Sequence, residues 1–225
     1  MFDGAMAPFT VDQFFGVFAA YNTAVWPLQW VLVALAAAAI VLTFVRVSIR
    51  DHLVTGILAA LWLWMGLLYH LTFFTVINPA AAVFGVAFAL EAALLVWAGL
   101  GPRKLRFQAR RDAYGTAGAV LLVYALIVYP LLGYVLGHHY PAIPTFGAPC
   151  PTVIFTFGLL LWTAGRVPWW LLVIPGLWAL IGLAAALSLG VPQDLGLVAA
   201  GAIAIPMLVV RARRAAVAGQ TLLTR

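Results

Sequence analysis

Residues Gly137 to Gly158 read "GHHYPAIPTFGAPCPTVIFTFG" and hold two of the chain's four histidines and its one cysteine. Imidazole and thiolate together suit a soft or borderline cation such as zinc or copper. His138, His139, Tyr140, Cys150 and Thr152 are the candidates within this stretch, and His70, Asn78 and Glu91 are the polar groups set in or beside apolar runs elsewhere. His70, His139, Cys150 and Glu91 are candidate ligands for a transition metal ion. His138, Asn78, Tyr140 and Thr152 complete a candidate polar pocket.

Two readings of Cys150 stand side by side. In one, "APCP" starts a helix and the thiol is a small buried hydrophobe. In the other, Cys150 is an N-cap before Pro151, and the free N–H groups of the helix start acidify it. A single cysteine leaves no internal disulfide. Thr152 and Thr156 lie four apart, on one face of that helix. Glu91 sits in the middle of an apolar run, where a charge costs at least about 2.5 kcal/mol and marks a functional candidate; a neutral acid hydrogen-bonded to Tyr or Thr is its structural alternative.

The elements that must position these groups follow from composition. Hydrophobic residues make up 66% of the chain and charged residues 8%, too apolar for a soluble core. Residues 53–77 and 115–136 carry no charge, and each exceeds the roughly 20 residues that span a bilayer. Long unbroken apolar runs exclude a barrel. The expected architecture is a single all-α membrane domain over 1–225, with seven spans at about 27–46, 53–76, 79–98, 114–136, 150–165, 168–189 and 194–210. An interfacial segment (1–26) precedes them. Within it Phe14, Phe15, Phe18 and Tyr21 share one helical face and Thr10 is the expected N-cap before Gln13. No early positive region marks a cleaved leader.

Charge sets the expected topology. The basic residues Arg46 and Arg50, Arg103 to Arg111, Arg166, Arg211 to Arg214, and Arg225 all fall on one side of a seven-span chain. That side reads as cytoplasmic, so the N-terminus is expected outside and the C-terminus inside. The +6 net charge then reflects topology and anionic lipid headgroups rather than nucleic acid. A multi-pass protein of the inner membrane, with the lipid bilayer as its surroundings, is the expected setting.

Depth places the opening stretch. Span four leaves the membrane near Gly137, and the chain is back on the basic side by Arg166. Counting back about 20 residues from Arg166 reaches Phe146, not Cys150. The "TFGAPC" segment is therefore expected to dip into the bundle, buried against protein or lining a wet cavity. His70 lies about one helical turn or two below the same end of span two, and Gly66 one turn further down, where a neighbouring helix can approach closely.

Three stretches carry a family resemblance: "YNTAVWP", "WLWMGLLYHLTFFTVINPAA" followed by Glu91, and "GHHYPAIPTFGAPCPTVIFTFGLLL". Together they resemble a family of bacterial integral membrane proteins known only as a domain of unknown function. The resemblance implies a membrane protein of undetermined role, and it supplies no substrate or catalytic assignment.

Several function classes are disfavoured. A retinal Schiff base needs a lysine in the last span, and residues 195–210 hold none. The only serines are Ser48 and Ser188, which disfavours a serine triad. No phosphate-binding glycine loop is present. The leading expectation is an outward-facing pocket that binds or transports a metal ion or small solute. The alternatives are a membrane enzyme or redox component using the same residues on a metal or haem, and an accessory subunit.

Overall fold

A computed structural model describes residues 8–101 and 105–223, with side chains placed to residue 215. Eight helices organise it: α1 (Val11–Val25), α2 (Leu28–Leu42), α3 (Arg50–Val76), α4 (Ala81–Leu100), α5 (Ala113–Val135), α6 (Pro149–Leu161), α7 (Trp169–Ser188) and α8 (Leu195–Leu223). Among the described residues there is no strand, only two isolated bridges. Five helices (α3, α4, α5, α7 and α8) are long and apolar enough to cross a bilayer, and α1 with α2 makes a sixth if that pair, bent by 87°, is one broken span. Each of the seven expected runs holds a helix, but α2 ends at Leu42 and α6 at Leu161, short of the expected bounds, and neither is long enough to cross alone. The shortest, α6, has 13 residues, about 20 Å against the roughly 30 Å hydrocarbon core.

Local chemistry fixes the helix ends. Thr10 caps α1 as expected, its hydroxyl accepting from the Gln13 amide at 3.2 Å while Gln13 Oε1 accepts from the Thr10 amide at 2.8 Å. Asp112 caps α5 by accepting from the Gly115 amide at 3.0 Å. Arg110 grips the Asp112 carboxylate, and that hydrogen bond holds its pKa down to about 2. The cap of α6 is Ala148 rather than Cys150. Pro149 occupies the first turn, where a missing N–H costs nothing, so the helix starts earlier than expected. It also ends at Leu161 rather than near 165, because Thr163 leaves the helix to pair with Phe107.

α6 is the centre of the bundle. Every residue from Pro151 to Leu161 is buried, as suits a helix that is apolar all round. The outer faces of the other helices are apolar too, with Val76, Val83, Val120, Leu180 and Leu187 well exposed, a surface suited to lipid. α3 and α4 meet where Gly66 faces Gly85. A Cβ on Gly66 would stand 2.8 Å from the Gly85 carbonyl, so glycine alone permits the approach, as the sequence suggested.

α1 packs across one end of the bundle. Its aromatic face is turned into protein: Phe14, Phe18 and Tyr21 are buried against Tyr69 and Phe74. Residues 1–7 of the expected interfacial segment lie outside the described residues.

All nine described basic side chains sit at the opposite end, where α2 gives way to α3, α4 to α5, α6 to α7, and late in α8. Arg103, Lys104 and Arg225 lie outside the described residues.

Candidate functional site

The end of the bundle covered by α1 holds a cavity of about 220 Å³. It opens where α3 ends, α4 begins, α5 ends, α6 begins and α7 ends. The 3-10 turn Pro192–Asp194, just before α8, closes its floor.

Asp194 is the chemical centre. It is 1% exposed and lines the cavity. The Tyr129 hydroxyl donates to Oδ1 at 2.6 Å, and the Cys150 thiol donates to Oδ2 at 3.3 Å. Three separate elements therefore converge on one carboxyl group: α5 brings Tyr129, the first turn of α6 brings Cys150, and the 3-10 turn brings Asp194. The turn is itself held, with the Tyr124 hydroxyl donating to the Gln193 carbonyl at 2.8 Å and the Asp194 amide to the Val191 carbonyl at 2.9 Å.

The rest of the wall is mainly aromatic and aliphatic, with Asn78 and Ser188 as further polar side chains. Phe14 and Phe18 come from α1, Tyr69 and Phe74 from α3, Phe84 from α4 and Trp178 from α7. Among the described residues no Lys, Arg or His lines the cavity. Trp178 is buried, with its indole N–H turned toward the Cys150 sulfur.

The "TFGAPC" segment shapes one side, as its depth suggested. Phe146 and Ala148 are buried, and Pro144, Ala148 and Pro149 line the cavity with Cys150. Gly147 adopts φ +97°, and a Cβ there would stand 2.4 Å from Leu32 Cδ1, so both its conformation and its space require glycine. The Tyr21 hydroxyl donates to the Gly147 carbonyl at 3.0 Å and accepts from Trp64 Nε1 at 2.7 Å. Asn22 holds the preceding loop by donating to the Pro141 and Ile143 carbonyls, each at 2.7 Å.

The sequence-predicted residues divide. Cys150 and Asn78 line the cavity; Asn78 also accepts from the Ala80 amide at 3.1 Å, ordering the turn into α4. His70 is fully buried behind the wall, edge-on to Trp178 at 5.0 Å and to Phe88 at 4.7 Å, with neither ring nitrogen hydrogen-bonded. Glu91 is fully buried with no partner for either oxygen. It lies seven residues beyond Phe84 on α4, about 10 Å deeper. His138 stacks on Phe15 at 4.2 Å, and burial followed by its neighbour His139 pulls its pKa below the ordinary imidazole value. His139 packs edge-on to Tyr134 on the exposed side, and the Tyr140 hydroxyl donates to the Asn22 carbonyl at 3.2 Å. Thr152 is spent on the start of α6, donating to the Ala148 carbonyl at 2.9 Å and accepting from the Gly147 amide at 3.3 Å.

Among the described residues no three His, Cys, Asp or Glu side chains gather so as to hold a metal ion. The arrangement instead offers one carboxyl group, two weakly acidic donors and a broad apolar wall.

A family model described as a family of unknown function (DUF6064) matches residues 11–219. The chain belongs to that family. No curated protein and no solved structure matched the chain.

Sequence reasoning missed Asp194, Tyr129, Tyr69 and Trp178. Asp194 stands in "GVPQDLG", where glycine and proline mark a loop and an acid reads as interfacial. Its available signal was position. It opens a span with Gln193 on a face that α5 and α6 cover, and both residues are buried. Glu91 is therefore not the sole acid within the apolar bundle.

Proposed function

We propose that the protein is a multi-pass inner-membrane protein that binds a small organic solute in the cavity around Asp194, on the side away from the cytoplasm. One observation carries the reading: a buried carboxyl group, held by Tyr129 and Cys150, faces a cavity whose wall is otherwise mainly aromatic and aliphatic. Binding sites combine such apolar walls with a few placed polar groups. An organic solute fits this wall better than a metal ion, because among the described residues Asp194 and Cys150 are the only acid and thiol that line it.

The sidedness is supported by the nine described basic residues at the far end of the helices. Gln108 is exposed at that end. A Gln108→Cys change in a Cys150→Ala background is expected to resist an impermeant maleimide in intact cells and to react after lysis. Ready labelling from outside would reverse the orientation.

The binding reading is tested by thermal unfolding in detergent with a panel of amines, carboxylates, neutral aromatics, sugars, zinc and copper. At 100 times Kd a ligand adds about 2.7 kcal/mol, a rise in Tm of roughly 5–10 °C for a chain of this size. One organic class is expected to stabilise the wild type and to lose its effect in Ala185→Phe, which fills the cavity beside α7. Stabilisation by no organic class, or equal stabilisation of both proteins, sinks the reading.

A further inference from the structure

We propose that the solute is a small monocationic amine, with its ammonium group on Asp194 and its apolar body against the aromatic wall. This rests on the solute-binding reading above and narrows it to one charge class.

The charge balance around Asp194 is the first reason. Its two hydrogen-bond donors, the Tyr129 hydroxyl and the Cys150 thiol, are neutral groups. Among the described residues no basic side chain makes an ion pair with it, and no Lys, Arg or His lines the cavity. A buried carboxylate without a counter-charge is costly. Two bonds also leave a carboxylate short of its four or so acceptor positions. An ammonium group supplies the missing charge and the missing donors in one contact.

The wall is the second reason. Phe14, Phe18, Tyr69, Phe74, Phe84 and Trp178 surround the cavity. Aromatic faces attract cations by about 0.5–2 kcal/mol, most when water is excluded. The same rings bury an apolar body. A carboxylate or phosphate solute would meet Asp194 with no cation to hold it, and a sugar would find few partners for its hydroxyls.

Size is the third reason. A cavity of about 150 Å³ holds a benzene ring, so 220 Å³ takes a body a little larger, on the scale of an arylethylamine.

The test compares phenethylamine, phenethyl alcohol and phenylacetate, which share a ring and differ in charge. Each is titrated against detergent-solubilised wild type, with Ala185→Phe correcting for uptake by micelles. Phenethylamine is expected to bind about 10- to 100-fold more tightly than the alcohol, the value of hydrogen bonds to a charged group, and phenylacetate more weakly than either. Asp194→Asn is expected to bring the amine down to the level of the alcohol while leaving the alcohol unchanged. Equal binding of amine and alcohol, tighter binding of phenylacetate, or full amine affinity in Asp194→Asn overturns the amine assignment and leaves solute binding standing. Failure of all three compounds to bind overturns the assignment as well, and the wider panel then decides the solute-binding reading separately. The comparison of amine with alcohol uses wild-type protein alone, so it holds even where Asp194→Asn does not fold.

Discussion

Replacing Asn22 with leucine is expected to cost about 3–5 kcal/mol of stability and to open the cavity from the side. Asn22 is fully buried. Its Nδ2 donates to the Pro141 and Ile143 carbonyls, each at 2.7 Å, and its Oδ1 accepts from the Thr145 hydroxyl at 3.0 Å. One side chain thus satisfies three groups of a loop that has no helix or strand to satisfy them. Leucine has nearly the same volume and none of these bonds. Each buried group left unpaired costs about 1–3 kcal/mol, and the loop's edge recovers part of this from water. At 2–4 °C per kcal/mol, the fall in Tm is roughly 6–20 °C.

The functional consequence comes from position. The loop that Asn22 holds runs directly into Pro144 to Cys150, which form one side of the cavity. α1, on which Asn22 sits, supplies Phe14 and Phe18 to another. Loosening the junction should let N-ethylmaleimide reach Cys150, the only thiol in the chain, several-fold faster than in the wild type. A Tm within about 2 °C of wild type, with unchanged labelling, would show that Tyr21 and its bond to Gly147 hold the segment without Asn22.

The apolar runs, the Thr10 cap, the close approach at Gly66 and the burial of "TFGAPC" were legible because each depends on local sequence or on depth along one helix. Convergence around a bundle axis was not. His70 shows why. It lies in a π-helical stretch, Met65–Phe73, whose wide turns shift side chains around the axis relative to a count at 3.6 residues per turn. Depth put His70 near the level of Cys150, but its azimuth puts it behind Trp178. Asp194 shows the converse. A loop-like sequence is buried because α5 and α6 close over it, and no pattern within "GVPQDLG" records those partners. The end of α6 was misplaced for a related reason: an unbroken apolar run cannot reveal that Thr163 pairs with Phe107.

Arg211→Met is the second change expected to be severe, at about 3–5 kcal/mol. A helix leaves its last carbonyls without partners inside the helix, and the residues that end α6, from Leu159 to Thr163, are buried. Arg211 reaches across from α8 to fill that role. Nη1 donates to the Thr163 carbonyl at 2.8 Å and the Leu161 carbonyl at 3.3 Å; Nη2 donates to the Leu160 carbonyl at 3.3 Å and to the Thr163 hydroxyl. Its guanidinium also lies over the Tyr114 ring at 5.0 Å. Hydrogen bonds from a charged donor are worth about 1.5–3 kcal/mol each, and the half-buried setting discounts their sum. The planar fork matters as much as the charge, since one ammonium group cannot reach acceptors on both sides. Thr163→Val removes one of the four contacts and is expected to cost about 1 kcal/mol. The order of destabilisation in thermal or SDS unfolding should therefore be Arg211→Met, then Arg211→Lys, then Thr163→Val. If Arg211→Met and Arg211→Lys unfold at the same temperature, the charge rather than the fork caps α6. If Arg211→Met lies within 1 °C of wild type, the end of α6 is held by the Gln108–Trp162 and Ala164–Arg106 backbone bonds, both 2.7 Å long, without it.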